Sequence, residues 1–370
     1  MSEFDKYRAS PEFKLLNPNM DFDEFKKIYY MEWGHRLWGR FVGLSFVIPA
    51  VYFVARRKVT ANMSLRLLGI AGLIGAQGAI GWWMVKSGLK DDLFAPGSHP
   101  RVSQYRLTAH LGTAFLCYIA MLWNGLSILR DHKNWLEPAR GNQALLRFSS
   151  PQLSIFRKSV AGLAVLVFIT AMSGGLVAGL DAGLIYNEFP YMGNGLTPPK
   201  SELFDKFYSR KPDGSDLWWR NMLENPSTVQ LDHRILATST FAAIMALWAY
   251  SRFSPKVRAA LPKSGKRGML GVVHLVSLQL ILGISTLIYL VPIPLAAAHQ
   301  AGSLALLSGV LILGNRIWVP KRSLRLVQKR MKQLKQGGNT GIPVRPGISA
   351  AAMRADLKAL ERSRPVVGAS

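Results

Sequence analysis

Long apolar runs alternate with short charged stretches along this chain. Seven runs reach membrane length: 37–55, 65–85, 105–128, 158–179, 231–250, 268–290 and 295–314. A helix needs about 20 mostly apolar residues to cross the hydrocarbon core, so each run predicts a transmembrane helix. The alternating pattern of a membrane β-barrel strand is absent, and the runs are too long for one. The expected fold class is therefore all-α integral membrane.

Composition agrees. Of 370 residues, 49% are apolar and 18% charged, and mean hydropathy is +0.14. That is too apolar for an ordinary soluble protein of this length. The net charge of +25 would suggest nucleic acid, but its distribution argues otherwise. Of the 46 Lys/Arg, 29 lie in 56–66, 129–158, 251–267 and the tail from 315, beside only 4 of the 21 Asp/Glu. The remaining 17 of each sign lie in 1–40, 86–106 and 180–234. The positive-inside rule puts the basic side in the cytoplasm or the mitochondrial matrix. Residues 1–34 and the loop 180–230 then face outward. The basic tail 315–370 carries no nucleic-acid motif and reads as solvated or touching anionic lipid. The single cysteine, Cys117, excludes an intramolecular disulfide and reads as an inert thiol within the third run.

Four of the seven histidines share one depth. His35 precedes the first run; His110, His233 and His299 sit a few residues into the third, fifth and seventh. All four runs begin on the outer side. At about 1.5 Å rise per residue, the imidazoles fall within roughly one or two turns of the same surface. Ionisable groups at membrane depth are costly and usually serve function. Catalytic zinc wants three protein ligands, often with a carboxylate. Haem wants one or two axial imidazoles from facing helices and an apolar slot. The slot fits haem: Gly69, Gly72, Gly75, Gly78 and Gly81 recur in the second run, although such glycines also serve helix packing. Arg36 and Arg234 each follow a candidate ligand, Arg40 lies one turn beyond Arg36, and Arg101 and Arg106 precede His110. They could pair with haem propionates or snorkel to headgroups. His274 reads as a packing residue, and His99 and His132 as loop residues.

The two histidine pairs sit in two similar blocks. HRLWGRFVGLSF (35–46) parallels HRILATSTFAAI (233–244). Gln77 and Gly81 parallel Gln279 and Gly283, and His110 in AHLGTAFL parallels His299 in AHQAGSLAL. A repeat of two bundles follows, each with one pair. The second block has a leading helix, 158–179, that the first lacks here, so the expectation is seven helices arranged 3 + 4. The domain reading is an outer segment 1–34, an N-terminal half-bundle 35–128, a loop 129–157, a C-terminal half-bundle 158–314 and the tail. Glu32 lies one turn before His35, where the second block has Gln230. A carboxylate there could stabilise a developing cation or move a proton, or it could simply cap its helix.

The stretches EFKKIYYMEWGHRLWGR, PRVSQYRLTAHLG, SGGLVAGLDAGLIYNEFPYMG, NPSTVQLDHRI and PLAAAHQAGSLALL together resemble haem A synthase, particularly the mitochondrial type, over residues 11–316. The resemblance implies an eight-helix bundle of two halves, of which this sequence lacks the first helix. It implies oxidation of the C8 methyl of haem O to a formyl group, giving haem A for cytochrome c oxidase. It places the substrate haem O between His35 and His110, with Glu32 catalytic, and a haem b cofactor on His233 and His299. The cysteine pair of bacterial members is absent, which implies an external, ferredoxin-like electron donor. Further partners would be a haem O synthase, oxidase assembly factors, membrane lipid and a second copy of the chain. The expected location is the mitochondrial inner membrane, with the bacterial plasma membrane as the alternative. MSEFDKYRAS reads as neither signal nor transit peptide. Two other readings stay open: a di-haem electron-transfer protein, and a non-catalytic haem chaperone or assembly scaffold.

Overall fold

The computed structural model describes residues 2–88, 102–136, 146, 149–320, 324–325 and 327–329. His99 and Arg101 lie outside them, as does nearly all of the basic tail. The helices are α1 Glu3–Arg8, α2 Pro11–Leu16, α3 Phe22–Ala55, α4 Ala61–Ser87, α5 Gln104–Leu136, α6 Ser154–Gly179, α7 Lys200–Leu203, α8 Leu217–Glu224, α9 Pro226–Phe253, α10 Pro255–Ala260, α11 Lys263–Ile288 and α12 Ile293–Ile317. Among the described residues there is no strand, only an isolated bridge between Met192 and Gly195.

Among the described residues six helices are long and apolar enough to cross a membrane: α3, α4, α5, α6, α11 and α12. The expected seventh, α9, is a 28-residue helix that falls outside this set. Its apolar stretch is diluted by Thr238, Ser239 and Thr240 and bounded by Arg234 and Arg252. Two boundaries also differ from the apolar runs. α3 begins at Phe22, because Asp21 and Glu24 form a capping box that starts the helix well before the apolar residues. α11 ends at Ile288, and Leu290 and Val291 turn the chain with left-handed φ of 60° and 57°.

By packing, the described chain divides into two units. The first comprises 1–122, 165–242 and 275–307; the second 123–164, 243–274 and 308–370. In the first unit α3 packs on α4, while Leu37, Trp38, Phe41, Leu44 and Ile48 of α3 stay exposed. Such a stripe would drive aggregation in water, whereas lipid solvates it. In the same unit α6 meets α5 at Gly175 and Gly179. A Cβ on Gly175 would sit 3.0 Å from Thr108 Oγ1, and one on Gly179 2.6 Å from Gln104 Cβ. This small-xxx-small spacing lets two helix backbones approach. The second unit has its own apolar core, with Leu153, Phe156, Ile244, Met269, Val272, Leu313 and Ile317 all buried.

Within the first unit, the loop 180–225 is a polar knot. Asp216 accepts from the Ser209 hydroxyl (2.7 Å), the backbone N–H groups of Arg210 (3.0 Å) and Lys211 (3.4 Å), and Arg220 Nε (2.6 Å). These contacts, the serine hydroxyl first, hold its carboxyl well below the usual carboxylate range. Glu224 accepts from Arg220, Arg210 and the Tyr105 hydroxyl. Glu202 takes the Tyr186 hydroxyl at 2.6 Å, which pushes that phenol up to about 12, and also bonds Ser227 at the start of α9. Trp218 and Trp219 of this loop remain exposed.

Candidate functional site

The four histidines singled out by depth come together as two couples, both inside the first unit. His35 of α3 and His110 of α5 have ring centroids 6.4 Å apart, with planes at 77°. His233 of α9 and His299 of α12 have centroids 6.5 Å apart, with planes at 88°. A metal held between two imidazoles needs their nitrogens about 4 Å apart, twice a bond of about 2 Å, and the centroids then stand roughly 6 Å apart. Both couples have their centroids near that separation.

The local sequence explains why each ring can sit where it does. Gly81 lies against His110: a Cβ there would stand 2.8 Å from the ring Cε1. Gly283 does the same for His299 at 2.9 Å, and Gly174 for His233 at 3.2 Å. Three glycines on three helices are thus imidazole seats. The other glycines of α4 (Gly69, Gly72, Gly75 and Gly78) have nothing within 4 Å.

Each seated ring also has a polar partner one residue or one turn before its glycine. Gln77 Nε2 lies 3.3 Å from His110 Nε2. Gln279 Nε2 lies 3.1 Å from His299 Nδ1 and 2.9 Å from the His299 carbonyl. Ser173 Oγ lies 2.8 Å from His233 Nδ1 and donates to the Thr170 carbonyl, also at 2.8 Å. With that one hydroxyl proton spent, Oγ accepts from His233 Nδ1–H, and Nε2 keeps its lone pair free. Thr170 is in turn joined to Thr240 at 2.9 Å. The Gln-x₃-Gly repeat was legible as a repeat, but its meaning as a histidine cradle was not. Ser173 had no sequence signal beyond its place before the glycine pair.

The remaining predicted residues fall as follows. Glu32 and Arg36 form an i,i+4 ion pair, each about half exposed. Glu32 is therefore a paired carboxylate on an open helix face. His35 and Arg40 are exposed on the same helix, and among the described residues Arg40 has no hydrogen-bond or ion-pair partner. Arg234 is spent on the loop before α9: it donates to the carbonyls of Tyr186 (3.0 Å), Glu188 (2.9 Å) and Tyr191 (3.0 Å). Gln230, the counterpart of Glu32, is buried and donates to the Tyr186 carbonyl at 2.9 Å. Arg106 bonds the Trp83 carbonyl at 2.7 Å and lies over the Trp83 ring. His274, expected to pack or bond between helices, is exposed on α11.

Two observations test whether these residues suit a porphyrin-bound iron. Among the described residues no three His, Cys, Asp or Glu cluster as a metal site. Each couple offers two ligands, the number a porphyrin leaves open. Two orphaned buried amide oxygens, Gln77 Oε1 and Gln279 Oε1, belong to side chains bonded to the rings, and the ring nitrogen His110 Nδ1 is itself a buried orphan. The donor set fits a haem.

Helices throughout the described residues, six of them candidate spans, and two couples of neighbouring imidazoles define a multi-pass helical membrane protein with two paired sites. Comparison with known proteins agrees: the COX15–CtaA family model, described as cytochrome oxidase assembly protein, matches residues 1–311. The chain is 49% identical over 326 residues to heme A synthase COX15 of Saccharomyces cerevisiae, covering 88% of this chain and 66% of that protein. It is 48% identical to a heme A synthase–mitochondrial ferredoxin fusion protein of Schizosaccharomyces pombe, covering 89% of this chain and 54% of the relative. Against heme A synthase COX15 of Homo sapiens it is 45% identical, over 86% and 71% respectively. The chain belongs to the COX15–CtaA family. It spans just under two thirds of the yeast relative and about half of the fusion protein.

Proposed function

We propose that the chain is a haem-dependent membrane oxidoreductase that converts haem O to haem A for cytochrome c oxidase biogenesis. The reaction oxidises the C8 methyl of the substrate to a formyl group by two hydroxylations, each consuming one dioxygen as oxidant, two electrons from an external donor and two protons and releasing one water, followed by loss of a further water from the gem-diol. The observation that carries this reading is the pair of histidine couples at 6.4 and 6.5 Å. The family membership and the names of its relatives support it.

In this reading His233 and His299 hold haem b, and His35 and His110 hold the substrate. When bound, haem b supplies a one-electron redox centre. The chain's own residues supply position and field. Ser173 and Gly174 orient His233; Gln279 and Gly283 orient His299. Arg40 is free to take a propionate. Arg36 would reach one only by leaving Glu32, and Arg234 only through the donors it does not spend on the loop. Glu32 stabilises charge that develops at the substrate, with Arg36 tuning it. Gln230, neutral and tied to the loop, leaves the second couple without that anion, so the Glu32 side reacts and the other passes electrons.

The S. pombe relative's name joins a heme A synthase to a mitochondrial ferredoxin, and a ferredoxin-like donor is assigned here on that ground. A haem O synthase and oxidase assembly factors are the further partners. The chain is placed in the mitochondrial inner membrane, with α9 as a seventh span and the half-bundles at 35–128 and 158–314.

The test is expression of the chain in a membrane beside a haem O source, followed by extraction and chromatography of its haems. Haem A in the wild type, its loss in His35→Ala and His110→Ala, and a reduced yield in Glu32→Gln are expected. Haem O alone from the wild type contradicts the proposal. The near-equal geometry of the couples favours one second reading, a di-haem electron-transfer protein. It predicts no haem A and a silent Glu32→Ala. A chaperone would hold haem on His233 and His299 only.

A further inference from the structure

The two glutamines of the repeat have a feature that the assignment above does not use. Gln77 and Gln279 stand one turn before the seat glycines Gly81 and Gly283, on the same helix face. Both turn the amide nitrogen toward an imidazole nitrogen, at 3.3 and 3.1 Å. Both leave the amide oxygen buried with no hydrogen-bond partner. Buried orphan acceptors are uncommon, and the same orphan at equivalent positions of two copies calls for a donor.

An amide nitrogen only donates, so the ring nitrogen facing it must accept. A neutral imidazole that gives Nε2 to a metal carries its proton on Nδ1 and needs an acceptor there. The orphaned oxygen is that acceptor once the amide turns end for end. At His299 the facing nitrogen is already Nδ1, so the amide must turn and exchange the bond from its Nε2 to the His299 carbonyl (2.9 Å) for one from Nδ1–H. At His110 the facing nitrogen is Nε2 and Nδ1 is itself a buried orphan, so the side chain must also swing about Cα–Cβ, because a half-turn about Cβ–Cγ alone would bring Cε1 to the amide.

We propose that Gln77 and Gln279 are the positioning residues of His110 and His299, each accepting the Nδ1 proton of its imidazole on the amide oxygen when that imidazole ligates metal. The inference rests on the haem assignment of the two couples. An acceptor at Nδ1 raises ligand basicity and stabilises the oxidised iron, so the glutamine sets the reduction potential as well as the ring angle.

The experiment uses the full chain purified in detergent and loaded with iron protoporphyrin IX. Midpoint potentials, low-spin electron paramagnetic resonance signals and the rate of haem transfer to apomyoglobin are measured. Gln279→Leu is expected to raise the potential of one haem and speed its loss about 10-fold, and Gln279→Glu to lower the potential of the same haem. Gln77→Leu and Gln77→Glu should do the same to the other haem. Gln→Met, similar in length and without the amide, replaces any Leu variant that does not fold. Leu and Glu variants that move the potential in the same direction, or not at all, overturn the inference. A wild type with two low-spin haems and silent glutamines sinks this inference alone; a wild type with no bis-imidazole haem sinks the haem assignment too.

Discussion

Replacing Gly283 with alanine isolates the imidazole seat. The added Cβ would stand 2.9 Å from His299 Cε1 and 3.5 Å from each ring nitrogen. Real Cβ atoms do not approach so closely, so the ring must shift by about half an ångström or more, and overpacking of this kind costs roughly 1–3 kcal/mol. The helix gains up to about 1 kcal/mol from alanine over glycine, which offsets part of that. The net stability change is therefore small, roughly 0–2 kcal/mol. The effect on the site is larger, because a ligand displaced from its axis costs about 10–100-fold in metal affinity. Gly271, on the same helix, has nothing within 4 Å of its Cβ position, so Gly271→Ala is the control and should stabilise slightly. The assay is haem retained after purification, with thermal unfolding of the same samples. The reasoning is refuted if Gly283→Ala keeps its haem as well as Gly271→Ala does.

Three further outcomes follow from the contacts described. Ser173→Ala should weaken haem binding at one couple by about 10-fold while leaving the other alone, read by haem transfer kinetics, because His233 Nδ1 loses its acceptor. Arg234→Met should cost about 2 kcal/mol and open 186–191 to limited proteolysis, because three carbonyls lose one donor group. The loop knot should be acid-resistant. The Asp216 carboxyl is held below its unfolded value of about 3.9, so its contribution is complete above that pH and is lost only as pH falls through the depressed value. Proteolytic protection of 204–224 should hold from neutral pH down to about 5 and fall below about 4. In Asp216→Asn it should be weaker throughout and flatter with pH.

Much of this arrangement is legible in one dimension because bilayer physics is nearly one-dimensional. Span length and charge asymmetry predict one level for His35, His110, His233 and His299, and the repeat predicts the two couples that the rings form. What resists reading is the choice of partner. Arg234 looks as available to an anion as Arg40 does, yet three loop carbonyls reach it from more than 40 residues away. Gln77 reads only as a member of the repeat, and Gly81 equally as a packing residue, until α5 brings His110 against them. The start of α3 is missed for a different reason: hydropathy marks the membrane, whereas the Asp21–Glu24 capping box marks the helix. α9 shows the converse, because the hydroxyls that dilute its hydropathy include Thr240, which bonds Thr170 inside the bundle.

The central claim is that each couple of imidazoles shares one iron. Electron paramagnetic resonance of the full chain loaded with iron protoporphyrin IX tests it directly. Two low-spin bis-imidazole signals are predicted, one removed by His110→Ala and the other by His299→Ala. A single signal that survives both substitutions, or high-spin iron throughout, would contradict the account.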